Sequence, residues 1–193
     1  MTKLRPLRAD AQRNRQRVLE VAEAVFADEG LDVPIDEIAR RAGLGIGTLY
    51  RHFPTKEVLF SAIVVGRIER VTRHAVALAA AGDPGAAFFD FLSYLLDHGA
   101  AKKDFVSALA GAGIDVGRAV VAPKRELRVA LGKLLARAQE VGAVRADVTV
   151  EEVLSLVIGL FAAIARHTGP ARARDRLFAI VCDGLRPRLD QRA

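Results

Sequence analysis

Apolar residues recur along this chain at helical spacing, segment after segment, and period-two alternation is nowhere sustained. Val18, Ala22, Val25 and Phe26 share one face of a segment running from Arg13 to Asp28, with Gly30 behind it as a stop. Ile35 to Ala42 reads as a short helix, entered through Pro34 and closed by Gly43. Ile46 to Phe53 is another short helix, which must end before Pro54. Thr55 then caps a long helix with Leu59, Phe60, Ile63, Val64, Ile68 and Val71 on its apolar side. Asp83-Pro84 starts the next, with Phe88, Phe89, Phe91, Leu92 and Leu95 behind it, and Gly111 to Gly117 reads as a loop or a broken helix. Pro123 is expected to open a helix reaching about Val141. Thr149-x-x-Glu152 has the form of a capping box ahead of Val153 to Ile164. Pro170 starts the last helix, where Leu177, Phe178, Val181 and Leu185 fall on one face. The pattern predicts an all-α chain of about nine helices, with a head of short helices and a body of long ones.

The head can be argued further from spacing. Gly43-Leu44-Gly45 separates two short helices by a tight turn, whose first glycine can take the left-handed conformation that a helix C-terminus needs. Ile38, Leu44, Leu49 and Phe53 can converge on a small core, and Ala39 is small where the two helices must approach. The second helix then projects as a rod of the kind that enters a DNA major groove. Gly45, Ile46, Gly47, Thr48, Arg51 and His52 are left on its outward face. A glycine inside a helix costs about 1 kcal/mol relative to alanine, so Gly47 suggests close approach by something outside the protein. The Thr48 and Tyr50 hydroxyls can bond phosphate oxygens, and Arg51 can fork onto a guanine edge or a phosphate. Lys56, beside the start of the next helix, adds an anion-binding end.

Composition sharpens this at two points. Lys+Arg number 29 against 23 Asp+Glu, a net charge of +6, which suits an anionic partner without choosing between nucleic acid and a membrane surface. Within residues 1–17, Lys3, Arg5, Arg8, Arg13, Arg15 and Arg17 face the single acid Asp10. Such a run serves as a solvated terminus or as a set of phosphate contacts, and a DNA-reading helix nearby favours the second. Cys182 is the only cysteine, so no internal disulfide forms, and it reads as a small buried side chain. The most apolar window, Val153 to Ile164, is too short for a membrane span of roughly 20 residues. With no secretory leader visible behind the basic start, a cytoplasmic protein is expected.

From Ile38-Ala39 through Ala42-Gly43-Leu44-Gly45-Ile46-Gly47-Thr48-Leu49-Tyr50-Arg51-His52-Phe53-Pro54-Thr55-Lys56-Glu57, the chain resembles the DNA-binding head of the TetR (tetracycline-repressor-like) family. The likeness runs from about Arg13 to Leu59 and takes in the amphipathic first helix. It implies a DNA-binding domain over residues 1–56 and an effector-binding and dimerisation body over 57–193. It also implies that Thr48, Tyr50, Arg51 and His52 meet DNA while Thr55 and Lys56 hold backbone phosphate. Gly45 and Ile46 depart from the pattern, since many members have Ser then Lys there. The departure removes a cap and a phosphate contact, and leaves Ile46 either to press on a thymine methyl or to cover the turn.

The body is less specific. The helix around Val153, Leu154, Leu156, Val157, Ile158, Leu160, Phe161 and Ile164 has almost no polar face, so it must be covered on more than one side. The resemblance implies that the last two long helices pair with their twins in a homodimer, which would bring two recognition helices to a palindromic operator. A monomer with a central core helix is the alternative. Phe88, Phe89, Phe91, Tyr94 and Phe105, with Asp97 and His98 nearby, form either an apolar effector pocket or ordinary core. Phe91, Tyr94, His98, Phe105, Gln139 and Phe161 are the candidate contacts to a small hydrophobic effector, while His74 and His167 read as surface or helix-end residues. No His/Cys/carboxylate cluster has metal-ligand spacing, and no nucleophile-base pair or phosphate loop is apparent, so no metal, cofactor or catalytic site is expected. Repression relieved by an effector is the function that the resemblance implies. A body that carries hydrophobic molecules, with DNA binding lost, is the competing expectation.

Overall fold

A computed structural model describes the backbone of residues 4–80, 82–166 and 171–187, and the side chains of these ranges apart from 4–9, 99–104, 106–107, 165 and 171–173. Lys3, Arg5 and Arg8, with His167 and Pro170, lie outside the residues whose side chains are described. Eight helices are found among the described residues: α1 (Leu4–Glu29), α2 (Ile35–Arg41), α3 (Ile46–His52), α4 (Lys56–Leu78), α5 (Pro84–Gly111), α6 (Gly117–Glu140), α7 (Val150–Arg166) and α8 (Ala171–Leu185). The chain divides into two compact units, one of residues 1–67 with 105–121, the other of residues 68–104 with 122–193. None of the described helices is long and apolar enough to cross a membrane.

The local signals act where the sequence places them. At the end of α2, Leu44 N–H donates to the Ala39 carbonyl at 3.0 Å and Gly43 N–H to that of Arg40 at 3.1 Å, with Gly43 at φ +66°. That pair of bonds closes a helix through a left-handed residue and turns the chain sharply into α3. Ile114 N–H to Leu109 and Gly113 N–H to Ala110 close α5 in the same way, so the break sought between Gly111 and Gly117 falls there. Thr149 and Glu152 form the reciprocal cap of α7: Glu152 N–H donates to Thr149 Oγ1 at 3.3 Å, and Thr149 N–H to Glu152 Oε2 at 2.8 Å. Asp83 accepts from Ala86 N–H at 2.9 Å at the start of α5.

Two elements differ from the sequence pattern. α1 begins at Leu4, well before the apolar stripe that revealed it, because a polar stretch can continue a helix already packed downstream, and its one proline, Pro6, falls in the first turn, where no backbone N–H is needed. Pro123 lies inside α6 and does not open it. It forfeits one bond in the second turn, to a carbonyl at the exposed Ala119.

In the first unit the buried residues include Val18, Leu19, Ala22, Val25 and Phe26 of α1, Ile35, Ile38 and Ala39 of α2, Leu49 of α3 and Phe53 after it, Leu59, Phe60, Ile63 and Val64 of α4, and Leu109 of α5. Phe26, Phe60 and Phe105 form an aromatic cluster there, with ring centroids 4.8 to 6.4 Å apart. Arg67, 6% exposed, is buried with them: its Nε donates to Glu23 at 2.7 Å and its guanidinium lies 4.7 Å from the Phe105 ring. The second unit has its own core, which includes Val71, Phe88, Phe91, Leu92, Leu131, Leu134, Val153 and Val157.

Candidate nucleic-acid interface

The face of α3 is set by which residues its packing consumes. Leu49 and Phe53 are fully buried, and this leaves Gly45, Ile46, Gly47, Tyr50 and Arg51 exposed, with Thr48 and His52 half-buried at the margins. Ile46 with Tyr50, and Gly47 with Arg51, are separated by four residues, so they form two adjacent rows on one surface. Gly45 is the N-cap of α3 without a side-chain capping bond, and the first bonds of the helix run from Thr48 and Leu49 N–H to the Gly45 carbonyl at 2.9 and 3.2 Å.

The surrounding charges are largely committed to one another. Arg40 donates to both oxygens of Glu37 at 2.6 and 2.7 Å, and Arg41 bonds Glu37 at 2.6 Å and also Glu29. Those bonds, first from Arg40 and then from Arg41, hold the Glu37 carboxyl down at about 2. Arg41 likewise lowers Glu29. The Tyr50 hydroxyl donates to Asp36 at 3.3 Å, and desolvation, with the nearby Asp36 charge, raises its pKa. Arg51 is exposed and makes no such pair among the described residues.

The flanking candidates are placed differently. Arg13 is ion-paired with Asp10, and the Arg15 guanidinium lies 5.5 Å from the Phe53 ring. Thr55 Oγ1 accepts from Val58 N–H at 3.3 Å, the cap expected of it. Lys56 reaches over the aromatic cluster, its Nζ 5.7 Å from Phe26 and 5.9 Å from Phe60. The structure thus brings Gly45, Ile46, Gly47, Tyr50 and Arg51 together on one exposed strip and holds Arg15 and Lys56 against aromatic faces beside the head core.

The effector candidates are not gathered in one place. Tyr94 stacks on His98 at 4.1 Å and on His74 at 3.9 Å, with Phe91 6.5 Å from His74. His98 Nδ1 lies 2.9 Å from the Tyr94 carbonyl oxygen. Phe161 packs half-buried against the second unit's core. Gln139 donates to the carbonyls of Arg145 and Val148 at 3.0 and 2.9 Å, so its amide hydrogens staple the loop before α7. Phe105 belongs to the first unit, with Phe26 and Phe60. His74, expected at the surface, is half-buried in the ring stack, and its position three residues after Val71 on the apolar stripe of α4 was the signal for it. The buried Arg67 was equally open to detection, lying between Ile63 and Val71 on the same stripe. Among the described residues, no group of three or more His, Cys, Asp or Glu side chains could hold a metal ion.

On α7 and α8 the sequence's all-round apolar helix resolves into a buried row, Val153, Val157 and Leu160, and an exposed one. Ile158 is 65% and Ile180 58% exposed, with Leu156 beside them. A groove of about 670 Å³ between the two helices is lined by Leu156, Leu160, Leu177, Ile180 and Val181, and by Gly159 and Gly184.

Known proteins share these features. A family model described as "Bacterial regulatory proteins, tetR family" matches residues 18–63, and one described as "Transcriptional regulator SbtR-like, C-terminal domain" matches residues 83–187. The crystal structure of a TetR transcription regulatory protein from Mycobacterium vanbaalenii is 46% identical, with a TM-score of 0.78, over 94% of this chain and 100% of that one. A TetR transcriptional regulator from Streptomyces coelicolor is 32% identical, with a TM-score of 0.73, over 90% of this chain and 98% of that one. An HTH-type transcriptional regulator of Staphylococcus aureus is 46% identical over 54 residues, 28% of this chain and 29% of the regulator, so the chain spans under a third of the length of the curated relatives it matches.

Proposed function

Because the chain belongs to the TetR family of bacterial transcriptional regulators, whose members bind DNA, we propose that it represses transcription from a palindromic operator and is released by a small hydrophobic effector. The observation that carries this proposal is the exposed strip of α3, where Arg51, without an ion pair among the described residues, stands beside Tyr50, Ile46 and an open Gly47. Thr48, Tyr50, Arg51 and His52 read the major groove, while Arg13, Arg15, Thr55 and Lys56 meet backbone phosphate. Residues 1–56 serve DNA binding, and residues 57–193 serve effector binding and dimerisation. No catalytic step and no cofactor enter this function, and its place is the cytoplasm, where the operator lies.

Two copies join through α7 and α8. The support is the exposed Ile158 and Ile180 beside the groove, an apolar surface that a partner's equivalent face would cover. A two-fold axis there makes the interface self-complementary and sets two α3 helices on half-sites about one helical turn apart. The effector binds in the body near Tyr94 and His98, and releases DNA by its higher affinity for the conformation whose recognition helices no longer match both half-sites.

Fluorescence anisotropy against DNA from the gene's own upstream region, with scrambled duplex as competitor, tests the DNA-binding half. Selective binding with two protomers per site supports the proposal; a random-sequence selection that returns no motif overturns it. Ile158→Asp should convert dimer to monomer in analytical ultracentrifugation, and an unchanged dimer would move the interface elsewhere.

A further inference from the structure

The recognition helix carries a branched apolar side chain at a position open to solvent. Ile46 is the first residue of α3 and is 45% exposed, so nearly half of its surface stays open to solvent. It is flanked by Gly45 and Gly47, and the fold demands neither glycine. Gly45 has φ −65° and ψ 139°, which any residue adopts, and Gly47 lies in regular helix. A Cβ at either position would meet nothing within 4 Å. Gly43 differs, since its φ of +66° is left-handed and the turn requires it. The chain therefore keeps free space on both sides of one exposed isoleucine, although serine at 45 would cap the helix and alanine at 47 would strengthen it.

We infer that Ile46 reads the C5-methyl group of a thymine in the major groove, with the bare backbone at Gly45 and Gly47 letting that base edge come close. The Ile46 side chain has no donor or acceptor, so it can neither hold a phosphate nor hydrogen-bond a base. The major groove offers one apolar feature to such a side chain, the thymine methyl, which also separates T·A from C·G. Ile46 lies on the same exposed strip as Tyr50 and Arg51, so the contact is continuous with the DNA-reading surface. This inference rests on the sequence-specific DNA binding proposed above.

The test begins with the operator selected from random duplexes by the full chain. Each thymine of one half-site is then replaced in turn by deoxyuridine, which removes only the methyl group. Anisotropy is measured with the unaltered protein, Ile46→Val and Ile46→Ala. Burial of one methyl group corresponds to about a fourfold change in affinity. At one position the unaltered protein should lose about that factor and Ile46→Val should lose less. Ile46→Ala should bind the thymine and deoxyuridine probes alike. If every deoxyuridine affects the unaltered protein and Ile46→Ala equally, the methyl contact is overturned while DNA reading stands. If selection returns no motif, sequence-specific binding fails and this inference falls with it.

Discussion

Replacing Gly47 by alanine separates what the fold asks of α3 from what DNA asks of it. Inside the protein the added Cβ meets nothing within 4 Å, so no packing cost arises. The helix gains the propensity difference between glycine and alanine, about 0.5–1 kcal/mol per protomer. For a chain of this size, 1 kcal/mol moves Tm by roughly 2–4 °C, so Tm should rise by about 1–4 °C. Against DNA the same methyl group stands about 1.5 Å proud of the backbone, one turn from Arg51. A hydrogen bond of about 2.9 Å stretched by that amount is no longer a bond. Loss of one good base contact costs about 1–3 kcal/mol, or about 5- to 150-fold in Kd. Circular-dichroism melting at one protein concentration and anisotropy on the selected operator at one salt concentration give the two numbers. A higher Tm with unchanged Kd would refute close approach at Gly47. A lower Tm would refute the claim that the fold has no use for the glycine.

Other substitutions test separate links. Arg51→Ala should weaken operator binding by about 1–3 kcal/mol and relax selectivity at one base pair; equal weakening on every duplex would make Arg51 a phosphate contact. Thr149→Ala removes the cap of α7 and should cost about 1 kcal/mol, a fall of roughly 2–4 °C in Tm, and an unchanged Tm would deny the capping box any role in stability. Glu37 is held at about 2 from an ordinary 4.5 by Arg40 and then Arg41. Since its folded-state pKa is the lower one, its contribution is complete above about pH 4.5 and is lost as pH falls toward about 2. Glu37→Gln should therefore flatten the acid-unfolding curve across that window, and an unaltered slope would show that the bonds to Glu37 do not stabilise the fold.

The head was legible because its signals are local. Gly43, the apolar spacing of Ile38, Leu49 and Phe53, and Thr55 each act within one or two turns, and each does in the structure what its spacing implied. Four of the effector candidates, Phe91, Tyr94, His98 and Phe105, were grouped by nearness in sequence, which a long helix does not respect. Phe105 follows Phe91 by fourteen residues on α5, about 21 Å of helix rise, and the two rings enter different cores. Gln139 was a candidate polar contact; its amide is bonded to the carbonyls of Arg145 and Val148, in a loop whose path no local pattern encodes. Pro123 misled for a related reason, since proline marks the first turn of a helix only by preference and is tolerated in the second when the orphaned carbonyl faces water. The exposed row of α7 is legible only in part: periodicity shows that both faces are apolar, while tertiary packing decides that Val157 is inside and Ile158 outside.

The head's cations divide by partner, and that division constrains how it can select a sequence. Arg40 and Arg41 are bound to Glu37 and Glu29, Arg13 to Asp10, and Arg67 to Glu23. Arg15 and Lys56 lie against aromatic rings. Each paired cation that turned to a phosphate would have to share or leave a carboxylate, and so would release less counterion than its formal charge suggests. The count of arginines and lysines on this surface therefore overstates its electrostatic grip on DNA. Of these pairs Arg41–Glu29 fastens α2 to α1, and on the proposed reading the difference between one sequence and another falls to groups that form no ion pair among the described residues. On α3 these are the guanidinium of Arg51, the side chain of Ile46 and the open backbone at Gly47: one donor fork, one apolar probe and one point of close approach. A reader so equipped discriminates by base edges and methyl groups more than by charge, so its selectivity should survive added salt better than its total affinity does.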